Sequence, residues 1–293
     1  DGQPFTSEDV RWWYEEVIRD KDLSQGAARG YTTGEPPVLM SLEVPDDLTV
    51  VIRFAHRFPV FMHKQNSAAP FLPSHYMRQF HARFAEDPDA LQRRAEEAGL
   101  PSWTQYFWER DKWYMNPERP VLYPWMATNR LDSDLFVLER NPFFGGIDAA
   151  GQQLPYVDRV TFRQFDSLDV FNMWVLNGEI DLQGRHVDIG AYDLFREGQA
   201  RGGYRVDLWQ ADDGDTLGPN HDCQDARLRA FFGQREVRKA LSLAIDREEI
   251  NKQVYNGMGT PRQASPTSQG PYYHEPAARA YASYAPQEAN RLL

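Results

Sequence analysis

The chain holds one cysteine, Cys223, in 293 residues. No disulfide can form within it, and its folded state rests on packing and hydrogen bonds. No stretch approaches the roughly 18 uninterrupted apolar residues of a membrane-spanning helix, and mean hydropathy is −0.65. Positive charge is in short supply: 32 Lys and Arg stand against 43 Asp and Glu, a net charge of −11. That balance argues against a nucleic-acid partner, whose phosphates call for a basic surface. Neither G-x-G-x-x-G nor G-x-x-x-x-G-K-[ST] occurs, so nucleotide binding has no support. There is no G-x-S-x-G elbow for a nucleophilic serine. Zinc-type spacings such as C-x2-C or H-x3-H are absent as well. His75 and His81 are six apart and fall on different helix faces. In His221-Asp222-Cys223 the ligand types are too close in sequence to converge on one ion. No metal and no cofactor is expected, and no repeat or low-complexity tract appears.

What is present is an ordinary globular composition, 41% hydrophobic and 26% charged, in a chain long enough for two lobes or domains. Thr6, with Asp9 three residues on, caps a helix whose apolar face is Val10, Trp13, Tyr14, Val17 and Ile18. Residues 24–37 are rich in Gly and Pro and read as a connection. A hairpin follows, with strands on either side of Pro45-Asp46-Asp47. Helical signals return over 74–98, where Asp87-Pro88 starts a helix that Gly99 ends. Residues 101–126 are dense in aromatics. Strands are predicted at 135–139, 157–165, 179–182 and 204–209, and a helix with Leu168, Phe171, Trp174 and Val175 on one face closes at Asn177-Gly178. The strand–helix–strand order over 157–182 predicts a parallel pair and an α/β sheet.

Residues 237–250, V-R-K-A-L-S-L-A-I-D-R-E-E-I, carry the most specific pattern. Val237, Ala240, Leu241, Ala244 and Ile245 form one apolar stripe. Asp246 and Glu249 have capping-box spacing for a second helix that Asn256-Gly257 stops. The wording resembles the R-x-A-L-x-x-A-I-D-R-E-x-I signature of the family 5 extracellular solute-binding proteins, the peptide and nickel receptors of ABC importers. Four further segments resemble the same family in the same order. They are D-G-Q-P-F-T-S-E-D-V at 1–10, E-R-N-P-F-F-G-G-I-D at 139–148, L-N-G-E-I-D-L at 176–182 and Y-A-P-Q-E-A-N-R-L-L at 284–293.

The resemblance implies an α/β, periplasmic-binding-protein-like bilobal fold of type II with an extra domain. Residues 1–37 would end the small extra domain, 38–152 would belong to the first lobe and 153–293 to the second, with a hinge near 145–151. Family members are longer at both ends, so the chain is expected to be an internal, incomplete piece. The acidic residue that holds a peptide ammonium in the family would fall beyond Leu293. The expected function is capture of an oligosaccharide or oligopeptide between two lobes and its delivery to an ABC permease. The full-length protein is expected to be periplasmic or extracellular and anchored to the membrane. An incomplete sheet would leave unpaired edges, so self-association is expected of the chain by itself.

Residues 209–220 are the first candidates for ligand contact: Trp209, Asp212, Asp213, Thr216 and Asn220 lie on a Gly- and Asp-rich loop after a predicted strand. In open α/β sheets, ligands sit beyond such strand ends, and in the family the matching loop faces the cleft. The same residue types also suit a solvated turn. Arg185 and His186 come second, Arg185 offering a guanidinium to a carboxylate or hydroxyl, with pairing to Asp188 as the other reading. Trp103 and Trp108 offer stacking surfaces, or else belong to the core. An acidic loop beside tryptophans also describes a glycoside hydrolase cleft, which stands as the alternative to a non-enzymatic receptor.

Overall fold

Thr6 opens the first helix, α1 (Ser7–Trp12). Its hydroxyl accepts the Glu8 N–H, and the Asp9 carboxylate accepts the Thr6 N–H at 2.9 Å, the reciprocal cap expected of this spacing. The chain then widens into a π-helical turn, Trp13–Ile18, closed by the Arg19 N–H on the Tyr14 carbonyl. The wider turn alters the helical register. Trp12, absent from the expected stripe, is therefore buried with Trp13, Val17 and Ile18.

The computed structural model describes residues 1–24, 30–64, 71–210 and 216–293. They form two units, Asp1–Gln164 and Phe165–Leu293. In the first, a short ladder joins β1 (Thr32–Thr33) to β2 (Val38–Leu39). The expected hairpin forms from β3 (Ser41–Asp46) and β4 (Thr49–Arg53), with Leu42 opposite Ile52. Then come α2 (Phe61–Lys64), α3 (Ser74–Met77), α4 (Pro88–Glu97) and α5 (Trp103–Asp111). Asp87 caps α4 by accepting the Asp89 and Ala90 N–H groups. One aromatic core, including Trp12, Tyr31, Met77, Phe80 and Phe107, gathers α1, α3, α5 and the hairpin together. Residues 1–37 thus share this core with residues that follow them. A sheet of β5 (Trp125–Ala127), β6 (Leu135–Arg140) and β7 (Arg159–Arg163) completes the unit. Both expected boundaries, at 37 and 152, lie inside it.

The second unit is helical. Ser167 caps α6 (Leu168–Leu176) and Asn177-Gly178 ends it, as expected. It packs on α7 (Tyr192–Gly202), with Phe171 and Phe195 buried. Gly178 has φ +70°, and a Cβ there would stand 2.1 Å from the Gly202 carbonyl oxygen. The helix ends therefore meet backbone to backbone, where only glycine fits. Next come α8 (Ala226–Gly233), α9 (Arg235–Leu243), α10 (Arg247–Val254), α11 (Glu275–Arg279) and α12 (Pro286–Leu292).

Two expectations need correction. Among the described residues, 179–182 and 204–209 form no strand, and every ladder between named strands is antiparallel. β7 pairs back onto β6, so the strand–helix–strand reading yields no parallel pair here. A strand exists only where a neighbour takes its backbone hydrogen bonds, and these segments meet none among the described residues. The mixed helix-and-strand class itself stands.

Candidate functional site

The stripe expected on α9 divides. Val237 and Ala240 are buried, as is Leu243, which the stripe did not include, whereas Ala244 is exposed; Ala240 and Leu243 pack on Ala289 of α12, with Ala285 and Leu292 alongside. Leu241 and Ile245 point elsewhere: they line an open groove of about 710 Å³ in the second unit. Ile250 and Met258 extend this apolar floor, and Trp209, Thr216 and residues 258–264 supply further walls. Apolar lining with a few placed polar groups is the usual make-up of a small-solute site.

A polar bracket holds the floor. Arg247, the arginine of the A-I-D-R signature, donates to the Ser242 carbonyl at 2.7 Å, to Ser242 Oγ at 2.9 Å and to the Ala282 carbonyl at 3.4 Å. Ser242 Oγ also accepts from Gln263 Nε2 at 2.7 Å and donates to the Tyr281 carbonyl at 2.8 Å. The bracket ties the end of α9 to the groove wall and to the segment before α12. Burial lowers the Arg247 pKa from its ordinary value, a cost that its contacts with carbonyl and hydroxyl oxygens offset. The Asp246 cap forms by half: Asp246 Oδ1 accepts the Glu249 N–H at 3.0 Å, while the Glu249 carboxylate takes up Gln253 instead of reaching back.

The wall at 258–264 is positioned by Asn251, whose carbonyl accepts the Gly257 N–H and whose Oδ1 accepts the Gly259 N–H at 2.8 Å. A Cβ on Gly259 would stand 2.7 Å from that Oδ1, so a side chain there would push the Asn251 amide away from the bond. Asn251 Nδ2 and the Thr216 and Thr260 hydroxyls have no protein partner among the described residues.

The expected contact residues scatter. Trp209, 85% exposed, and Thr216 line the groove. Asp212 and Asp213 lie outside the described residues. Asn220 is not in the lining; its Oδ1 accepts the Asp222 N–H at 2.9 Å in a local turn. Arg185 and His186 sit on an exposed turn after α6, with His186 at φ +59° and its ring 5.8 Å from that of Phe165. Trp103 and Trp108 belong to the first unit, packed on its core at 5.3 Å from His81 and 5.2 Å from Phe107. Sequence reasoning passed over Arg238, Leu241, Arg247, Asn251 and Arg262, all in the lining. The available signal was the spacing of Leu241 and Ile245, four apart and offset from Leu243, beside the Gly- and Pro-containing stretch after Asn256-Gly257.

A smaller pocket of about 290 Å³ lies in the first unit, among Phe5, Phe71, Leu122 and Phe143. Beside it His75 Nε2 meets Asp1 Oδ2 at 2.7 Å. Its volume falls at the lower limit for small-solute sites.

Over residues 1–293 the chain matches the family described as bacterial extracellular solute-binding proteins, family 5 middle. It is 24% identical over 308 residues to the periplasmic alpha-galactoside-binding protein of Rhizobium meliloti (strain 1021), covering 100% of this chain and 41% of that protein. Among solved structures it is similar to the oligopeptide-binding protein OppA, at 34% identity and TM-score 0.72, covering 100% of this chain and 46% of that one. It is similar in fold to the periplasmic binding protein MelB of Agrobacterium fabrum C58, solved in complex with stachyose. There the identity is 22% and the TM-score 0.64, covering 100% of this chain and 43% of that one. The chain therefore spans less than half the length of each of these relatives.

Proposed function

Because the chain belongs to the family 5 bacterial extracellular solute-binding proteins, we propose that it is the solute-capturing part of an extracytoplasmic receptor for an ABC importer. Its solute is an oligosaccharide or an oligopeptide, and the groove of the second unit is where that solute is held. The observation that carries this reading is the groove itself: an exposed indole, Trp209, beside an apolar floor, with the Asn251 Nδ2 and the Thr216 and Thr260 hydroxyls unpartnered among the described residues. Indole faces suit both sugar rings and peptide side chains. An anchor to the membrane and a permease partner go with the same proposal.

The family and the structural relatives are binding proteins. A sugar-cleaving site needs two carboxylates facing each other across the bond. Asp212 and Asp213, the acids that a hydrolase cleft would use here, lie outside the described residues, and the reading of binding without turnover rests on the family. β7 forms one edge of its sheet, and an edge invites pairing with a second copy. Self-association of the chain is therefore part of the proposal, and a single monomeric species across a concentration series in sedimentation velocity would contradict it.

The test is a thermal-shift screen against tripeptides and α-galactosides, with product analysis of the same mixtures. A solute at a hundred times its Kd adds about 2.7 kcal/mol, a shift of about 5–10 °C at this chain length. The proposal expects such a shift from one class and no new product. Turnover of the sugars, or no shift from either class, would overturn it.

A further inference from the structure

Asn251, partly buried in α10, lines the groove with its hydrogen-bonding sense fixed by the backbone. Its main-chain carbonyl accepts the Tyr255 N–H at 3.1 Å and the Gly257 N–H at 2.9 Å, and its Oδ1 accepts the Gly259 N–H at 2.8 Å. A carboxamide carries one acceptor and one donor group, and a backbone N–H can be met only by the acceptor. The Gly259 N–H therefore settles which way the amide faces. Turning it over would set Nδ2–H against N–H.

The chain beyond α10 folds around this side chain. Asn256 and Gly257 both have positive φ, +50° and +74°, and the backbone turns back so that Gly259 meets Oδ1. Main chain and side chain are both fastened, so little freedom is lost when Nδ2 is engaged. Leu241, Ile245, Ile250 and Met258 share the lining, and apolar surroundings strengthen a hydrogen bond formed there and penalise a donor left without one. Asn129 and Asn141 also accept a backbone N–H on Oδ1, and each places its Nδ2 on backbone carbonyls. Asn220, which leaves its Nδ2 free, is exposed to water. Asn251 has its oxygen committed and its Nδ2 unpartnered among the described residues, in the wall of a groove.

We propose that Asn251 is a specificity-determining residue of the groove: its Nδ2 donates to an oxygen of the bound solute, and the position rejects a group that can only donate. This rests on the reading of the groove as the solute site. The oxygen is either a peptide carbonyl or a sugar hydroxyl.

The experiment follows the Asn251 side-chain amide by NMR, in protein isotopically labelled at asparagine nitrogen, as trialanine or raffinose is added. The Nδ2 resonances are identified by their absence from the spectrum of Asn251→Asp, or of Asn251→Gln should the first variant misfold. The solute that binds is expected to shift this pair and slow its exchange with water, and the probe that does so names the source of the oxygen. Asn251→Asp is nearly isosteric and keeps an acceptor for the Gly259 N–H while replacing the donor. Calorimetry should show about 10- to 100-fold weaker binding by this variant, with the melting temperature held. Asn251→Leu, which removes both groups, should lower the melting temperature as well. An Nδ2 pair unmoved in protein saturated with solute, or undiminished binding by Asn251→Asp, would overturn the assignment and leave the groove standing as the solute site. Binding of neither probe to the unaltered protein would overturn both.

Discussion

Asp9 is a surface-type residue held at 6% exposure, because its two oxygens serve separate tasks. One closes the cap at Thr6, and the other accepts the Ser74 N–H at 3.0 Å and hydroxyl at 2.7 Å, fastening α3 to α1. Asp9→Ala leaves two backbone N–H groups without their carboxylate, and we expect urea unfolding to report a loss of about 2–4 kcal/mol. A change under about 0.5 kcal/mol, the range of ordinary surface substitutions, would contradict that role. The capping half of this was legible in the T-x-x-D spacing; the long-range half, to Ser74, was not, since no local pattern announces a contact 65 positions away. The same limit separates the candidate residues. Trp209 and Thr216 sit in the groove, whereas Trp103 and Trp108, equally eligible by type, are core neighbours of Phe107 and His81. Aromatic identity does not state which surface a ring will meet.

At the scale of elements, the stripe on α9 was legible and its bounds were close, yet one stripe hid two faces. Ala240 and Leu243 turn towards α12, and Leu241 and Ile245 towards the groove. The 3.6-residue period marks both as apolar and cannot tell a packed partner from an open site. The strands expected at 179–182 and 204–209 failed for a related reason, because alternation describes a face and a ladder needs a neighbour. Helix ends were read better, since caps are local chemistry. Gly178 is the sharpest case: with φ +70° and the Gly202 carbonyl 2.1 Å from where a Cβ would stand, Gly178→Ala combines left-handed strain with a backbone clash. We expect a loss of about 2–4 kcal/mol in the second unit's unfolding transition. An unchanged transition would mean that α6 and α7 do not meet as described. Gly259→Ala should act differently, displacing the wall that Asn251 holds and weakening solute binding more than stability, as paired titration and melting would register.

At the scale of the whole molecule, acid sensitivity follows from how carboxylates are held. Glu43 is lowered by its hydrogen bonds with Arg53, Asp46 by the Leu48 N–H, Asp87 by the Ala90 N–H, Asp132 by Arg130, Asp148 by the Tyr156 hydroxyl and Glu288 by Arg291. Each lowered group adds stability that is present above its ordinary pKa, 3.8 for Asp and 4.5 for Glu, and is lost as pH falls through the lowered value. Asp111 opposes them: burial raises its pKa against the pull of Arg119, so its contribution is lost as pH rises. None of the six lowered groups is buried, so each effect is modest. Urea midpoints should hold steady from pH 7 to about 5 and decline below about 4.5; a midpoint rising through that lower range would contradict the assignments. Family membership was the most legible property of all, carried by five ordered segments, because wording is more specific than periodicity. Location of the site was the least legible, because the groove is assembled from residues 189–264 by tertiary packing. The most direct test of the account is therefore hydrogen exchange with and without the solute that gives the largest thermal shift. We predict slowed exchange at residues 208–210 and 258–264 on solute addition. Protection confined to the first unit, or none in the second, would contradict a solute held in this groove.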